Sequence, residues 1–163
     1  MDFEMFYRDT SRRLLRYAYG LTGDPGEAQD LVQEAYARAW QRWRQVSAYE
    51  DPEAWLRLVV NRLSTDRWRR LFVRRNHAAA QPPPPAAPPP SEDLVVLVRA
   101  MRALPARHRQ ALALHYLLDR SIAEIAAETG VSIGTVKSWL SRGRAGLAAT
   151  LDPDPSEGAR RAR

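Results

Sequence analysis

From residue 76 to residue 93 the chain reads NHAAAQPPPPAAPPPSED, a stretch with seven of its twelve prolines and no branched apolar residue. No helix or central strand can run through it, because each proline lacks an amide proton and crowds the preceding turn. Proline tracts take the extended polyproline form, at about 3.1 Å per residue, and act as semi-rigid spacers. A proline motif that binds another protein is the competing reading. The tract divides the 163 residues into a module at 1–75, a linker at 76–93 and a module at 94–151. The tail at 152–163 has no apolar pattern and is expected to be disordered.

Both modules carry helical periodicity, so the expected fold class is all-α, two small helical domains joined by the linker. In the first, Phe3, Phe6, Leu14, Tyr17, Ala18 and Leu21 fall on or near one helix face, broken at Gly23–Asp24–Pro25. Pro25 opens a second helix, with an apolar stripe of Ala28, Leu31, Val32, Ala35, Tyr36, Ala39, Trp40 and Trp43. Its opposite face gathers Asp24, Glu27, Asp30 and Glu34 with Gln29 and Gln33. Such a face is either solvated or a docking surface for a basic protein. After an irregular segment at 44–51, Pro52 starts a third helix that places Trp55, Leu58, Val59, Arg62 and Leu63 along its length. Its later turns interleave Arg62, Arg67, Arg69 and Arg70 with Trp68. Arginines among an aromatic suit a nucleic-acid backbone and unstacked bases, although helix-end cations also answer the dipole and Trp55 fits a core.

In the second module, an apolar helix from Leu94 stops at Pro105, and PARHRQALALHYLL follows with Arg107 and Arg109 near its start, where a phosphate could be met. Then comes SIAEIAAETGVSIGTVKSWLSRGR, residues 121–144, which parses as helix, tight turn, helix. Ala126 permits a close crossing, Gly130 can leave the first helix left-handed, Ser132 can cap the next, and Val136 and Leu140 form its inner face. This is the steric pattern of a helix-turn-helix, whose second helix enters the DNA major groove. Its outward positions are Gly134, Thr135, Lys137, Ser138, Ser141 and Arg142, and no acid occurs from Val131 to Leu151. An ordinary helical hairpin with a solvated polar face is the alternative.

The net charge of +6 points to an anionic partner, and its distribution says where. Residues 52–80 hold seven arginines against two acids, and residues 99–151 hold eight basic residues against three acids. Residues 1–51 lean acidic, nine against seven. The absence of cysteine excludes disulfides and cysteine-based zinc sites. No apolar run approaches a membrane span, and MDFEMFYRDTSRR lacks a signal peptide's apolar stretch, so a cytoplasmic protein without membrane contact is expected. No Gly-rich phosphate loop, HExxH pair or GxSxG elbow is present, and His77, His108 and His115 make no convincing site. Neither an enzyme nor a cofactor or metal is expected.

Taken in order, these parts resemble the extracytoplasmic-function (ECF) sigma factors of bacterial RNA polymerase, over roughly residues 3–151. EAQDLVQEAYARAW is similar to the family's core-polymerase-binding helix. WLRLVVNRLSTDRWRR is similar to its −10 promoter helix, with Asn61, Asp66 and the Arg69–Arg70 pair at matching places. ALPARHRQALALHYL and IAEIAAETGVSIGTVKSWLSRGRAGL resemble the promoter-distal helix-turn-helix domain. The resemblance implies that Glu27, Asp30, Gln33 and Glu34 meet the coiled coil of the largest polymerase subunit. It implies that Asn61, Arg62, Arg67, Trp68, Arg69 and Arg70, with the loop from Val46 to Asp51, take the melted non-template strand at the −10 element. It implies that Ser132, Gly134, Thr135, Lys137, Ser138, Ser141 and Arg142 contact the −35 element as duplex DNA. It leaves room for an anti-sigma factor as a further partner. Trp139 stands where the family commonly has arginine, and its position suits either the core beside Val136 and Leu140 or the DNA face. The alternative function is a stand-alone helix-turn-helix regulator with an N-terminal dimerisation or sensing module.

Overall fold

The computed structural model describes residues 1–71 and 89–152, with side chains except at 68–71. Most of the proline linker and all but the first residue of the expected tail therefore lie outside the described residues. The helices fall into two compact units, Met1–Pro89 and Pro90–Arg163. Among the described residues there is no strand.

The first unit holds α1 (Phe3–Thr22), α2 (Pro25–Gln41), α3 (Trp43–Val46) and α4 (Pro52–Leu71). Local chemistry sets the boundaries. Gly23 takes φ 71°, and its N–H donates 2.8 Å to the Tyr19 carbonyl, which ends α1. Asp24 accepts the Glu27 N–H at 2.9 Å, and Pro25 occupies the first position of α2. Asp51 accepts the Ala54 N–H at 2.9 Å in the same way, again just before a proline. The segment expected to be irregular contains one short helix, α3, where Ser47 N–H donates back to Trp43.

The expected stripes of α1 and α2 are buried at Phe6, Leu14, Tyr17, Ala18 and Leu21, and at Ala28, Leu31, Val32, Ala35, Tyr36 and Ala39. Trp40 departs from expectation, being 63% exposed. It lies at the end of α2 with its ring 5.0 Å from Phe3, so it shields an edge of the core rather than filling it. The inner face of α4 also differs: Leu56, Val59, Val60 and Ser64 are buried, while Leu58 is exposed and Trp55 is half-buried. Thr10 sits in this core, donates to the Phe6 carbonyl at 2.6 Å and so accepts from the Tyr36 hydroxyl at 2.6 Å. Burial of the Tyr36 phenol pushes its pKa up strongly.

The second unit holds α5 (Glu92–Met101), α6 (Ala106–Leu112), α7 (Ile122–Thr129) and α8 (Ile133–Leu151). Ser91 caps α5, which begins two residues before Leu94. The expected long helix after Pro105 is divided: α6 passes into a π-helical turn at Ala113–Leu117, closed by Asp119 at φ 53°. Val98, Met101, Leu104, Leu112, Leu114, Ile125, Val136 and Leu140 form the core. Gly143 is part of that core because α8 packs closely on α6. A Cβ there would lie 2.9 Å from Leu112 Cδ1.

Candidate functional site

Two surfaces carry the expected site residues, one on each unit. On the first, the acidic face of α2 is partly closed by the unit's own cations. Arg67 reaches from α4 to α2, with Nε 3.3 Å from Glu27 Oε1 and Nη2 3.4 Å from Asp30 Oδ2. Arg38 Nε donates 2.8 Å to Glu34 Oε1, one turn along α2. Gln33 and Glu34 are exposed, and Glu27 is half-buried. The face thus offers Gln33, Glu34 and the outer edge of Asp30 to a partner.

The residues expected at a single-stranded DNA surface do not all share one side of α4. Asn61 is half-buried and Arg62 exposed, whereas Arg67 is turned to the acids of α2. The backbone of α4 extends through Trp68, Arg69 and Arg70, whose side chains lie outside the described residues. The preceding loop is held firmly at both ends. Val46 is 1% exposed, and Asp51 both caps α4 and takes Arg57 Nη2 at 3.4 Å. Between them Ala48, Tyr49 and Glu50 are exposed.

Sequence reasoning missed Arg57. Its side chain is 2% exposed, and it lies between Asp51 and Glu53, with Nη1 3.7 Å from Glu53 Oε1. Glu53 also receives Arg13 Nε and Nη2, each at 3.0 Å, which ties α1 to α4. Those hydrogen bonds and the Glu53 charge push the Arg13 pKa up. The available signal was the spacing: Glu53 precedes Arg57 by four, the favourable order for a helical ion pair.

The second unit presents α7 and α8. Ser121 and Glu124 form a reciprocal capping box, with Glu124 N to Ser121 Oγ at 3.1 Å and Ser121 N to Glu124 Oε2 at 2.8 Å. Gly130 has φ 73°, the left-handed turn that the spacing predicts. Ser132 Oγ accepts the Thr135 N–H at 3.1 Å and lies 2.9 Å from Thr135 Oγ1. These two hydroxyls therefore fix the start of α8 while standing at its approach edge. Gly134, Lys137, Ser141 and Arg142 are exposed, and Ser138 is half-buried. Among the described residues no carboxylate pairs with Lys137 or Arg142.

Trp139 belongs wholly neither to the core nor to the outer face. It is half-buried, and the Arg107 guanidinium carbon stands 5.5 Å from its ring centroid. On the side of α8 that carries Lys137, Arg144 Nη1 donates 3.2 Å to the Tyr116 hydroxyl; His115 Nδ1 lies 2.8 Å from the Arg120 carbonyl. Arg109 is buried, and desolvation, with Arg102 nearby, lowers its pKa. Among the described residues no group of three or more His, Cys, Asp or Glu could hold a metal, and no helix is long and apolar enough to cross a membrane.

Comparison with known proteins covers both units. Residues 6–71 match the sigma-70 region 2 family and residues 94–147 match sigma-70 region 4. The chain is 33% identical to the RNA polymerase sigma-E factor of Streptomyces antibioticus, across 93% of this chain and 86% of that protein. It is 34% identical to the ECF RNA polymerase sigma factor SigL of Mycobacterium tuberculosis, across 89% of this chain and 86% of that protein. Among solved structures, sigma factor RpoE in complex with the anti-sigma factor NepR from Bartonella quintana has a TM-score of 0.69 and 27% identity. That likeness covers 93% of this chain and 99% of the other.

Proposed function

The chain belongs to the ECF sigma factors of the sigma-70 family, and we propose that its two units divide between them the binding of core polymerase and of promoter DNA. Such a factor binds core RNA polymerase and directs promoter-specific initiation of transcription. The observation that carries this reading is the pairing, in order, of a region 2 match with the α1–α4 unit and a region 4 match with the helix-turn-helix unit. The region 2 match over the first unit does not favour a stand-alone regulator with a dimerisation or sensing module. Such a factor acts in initiation and is not itself the catalyst, and its place of action is the cytoplasm.

In the first unit, Gln33, Glu34 and Asp30 meet a basic surface of the polymerase's largest-subunit coiled coil. Glu27 serves this contact indirectly, by holding Arg67. The loop from Ser47 to Asp51, with Asn61, Arg62 and the later turns of α4, takes the melted non-template strand at the −10 element. An exposed Tyr49 in that loop supports the assignment, since aromatic faces stack on unpaired bases. In the second unit, α8 reads the −35 duplex through Gly134, Lys137, Ser138, Ser141 and Arg142, with Ser132 and Thr135 at its entrance. An anti-sigma factor is a further partner, by likeness to the Bartonella quintana complex.

Transcription in vitro with purified core polymerase tests this function: promoter-specific transcripts should depend on the protein, and their absence would overturn it. The docking face has its own test. Gln33→Arg with Glu34→Arg places positive charge at two exposed positions while sparing the Arg67 bridge, and should abolish co-purification with core polymerase. Undiminished co-purification, in a variant with normal melting, would remove this face from the interface.

A further inference from the structure

Arg107 occupies an unfavourable place for a cation. It is exposed in the first turn of α6, a turn without an acidic residue, where the helix dipole repels positive charge. Among the described residues no carboxylate forms an ion pair with it. What holds it is the Trp139 ring, whose centroid lies 5.5 Å away, within the roughly 6 Å over which a guanidinium is attracted to an indole face. A cation–π contact of this kind is electrostatic and needs no carboxylate. With no carboxylate on it among the described residues, the exposed guanidinium keeps N–H donors for a second, anionic partner.

Trp139 also determines where that cation stands. Thr135, Trp139 and Arg142 follow one another at i, i+4 and i+7, so they share one side of α8. The adjoining stripe, Val136, Leu140 and Gly143, is buried. Trp139 lies at the border between that stripe and the outward flank, and is half-buried. Arg107 is thereby brought from a different helix to the same flank as Arg142.

We propose that Arg107 grips the sugar-phosphate backbone of duplex DNA beside α8, and that Trp139 is the positioning residue that holds it there. The proposal rests on the reading of α8 as the duplex-facing helix. It assigns to α6 a DNA contact outside the recognition helix. It also explains a tryptophan on the flank of a helix whose other outward residues are small, polar or basic. A backbone grip carries no sequence information, so it is measurable on any duplex.

The test is binding of the full chain to a fluorescently labelled mixed-sequence duplex of about three helical turns, across a range of salt concentrations. Arg107→Ala should make the log–log salt slope shallower by about 0.9, so that a fourfold rise in salt costs about threefold less affinity than in the wild type. Trp139→Phe, which keeps a ring, should retain the wild-type slope, whereas Trp139→Leu should flatten it. The double variant should bind no more weakly than Arg107→Ala alone, because the ring acts through the arginine. A slope unchanged in Arg107→Ala but flattened in Arg142→Ala would overturn the proposal and leave α8 as the reading helix. Slopes unchanged in both would remove α8 itself from the duplex. Loss of core polymerase binding by Arg107→Ala with unaltered duplex binding would reassign the arginine to an acidic protein surface, again overturning the proposal.

Discussion

The two units put their most prominent cations to different uses. In the first, Arg13, Arg57 and Arg67 are fasteners: each spans two segments and ends on a carboxylate, at Glu53, at Asp51 with Glu53, or at Glu27 with Asp30. In the second, Lys137, Arg142 and Arg107 have no carboxylate partner among the described residues, and the last is held by an indole instead. Charge counting makes residues 52–80 and 99–151 equally basic, yet their electrostatic reach differs. A cation already paired and partly buried releases few counterions when DNA approaches, whereas an unpaired one contributes fully to the salt-dependent term. Positive charge in the first unit is thus partly spoken for by the fold, and any proposed DNA contact there falls to what the fasteners leave over, such as the exposed Arg62.

The largest effect that can break this comparison is at Arg57. Arg57→Ala should destabilise the first unit by about 3–5 kcal/mol, because it removes a buried guanidinium from beside Asp51 and Glu53, of which Glu53 keeps Arg13. Urea unfolding of the variant followed by tryptophan fluorescence measures it. A loss under about 0.5 kcal/mol would show that Arg57 is no fastener. In the second unit the comparable cost lies in apolar packing. Leu140 is 1% exposed, and Leu140→Ala should cost about 2–5 kcal/mol, read as an earlier melting transition. If that transition does not move, the inner face of α8 is wrongly drawn.

Much of this was legible in the sequence, because it depends on residues close along the chain. The Gly130 turn, the Ser132 cap, the proline starts of α2 and α4, and the buried Val136–Leu140 pair follow from local sterics and helical period. The family resemblance came from the order of such segments. What escaped were choices made by tertiary partners. Periodicity assigns an arginine to the solvated face, so Arg57 could not be placed in a core without knowing that Asp51 and Glu53 converge on it. Trp40 continues an apolar stripe, but at the end of α2 its ring meets Phe3 at the edge of the core and stays largely exposed. Arg67 has the spacing of a DNA residue and the geometry of an acid's partner. The flank position of Trp139 and a phosphate contact near Arg107 were both visible, but the two lie on different helices and spacing could not bring them together.

A smaller effect separates the two classes of cation directly. Arg142→Ala should leave stability within about 0.5 kcal/mol of wild type while lowering the salt slope of duplex binding by about one. Arg57→Ala should do the reverse. An Arg142 variant that melts early without a change in slope would make it a structural cation too, and the contrast between the units would disappear.

The smallest effect concerns the one acid of the helix-turn-helix whose ionisation the fold clearly favours. Glu124 is solvent-exposed, yet the Ser121 backbone N–H, then the Ser121 hydroxyl and Arg120, hold its carboxyl below the ordinary value of 4.5. A carboxyl depressed in the folded state stabilises that state above its ordinary pKa, and the contribution is lost as pH falls through the lower folded value. Acidification from about pH 5 should therefore lower the melting temperature of the second unit through this window. Glu124→Gln keeps an acceptor for the Ser121 N–H but cannot titrate, so its melting temperature should depend less on pH across the same range. Parallel profiles for the two proteins would show that the capping box binds its glutamate no better than its glutamic acid. The carboxylate would then have no part in fixing the turn from which α8 departs.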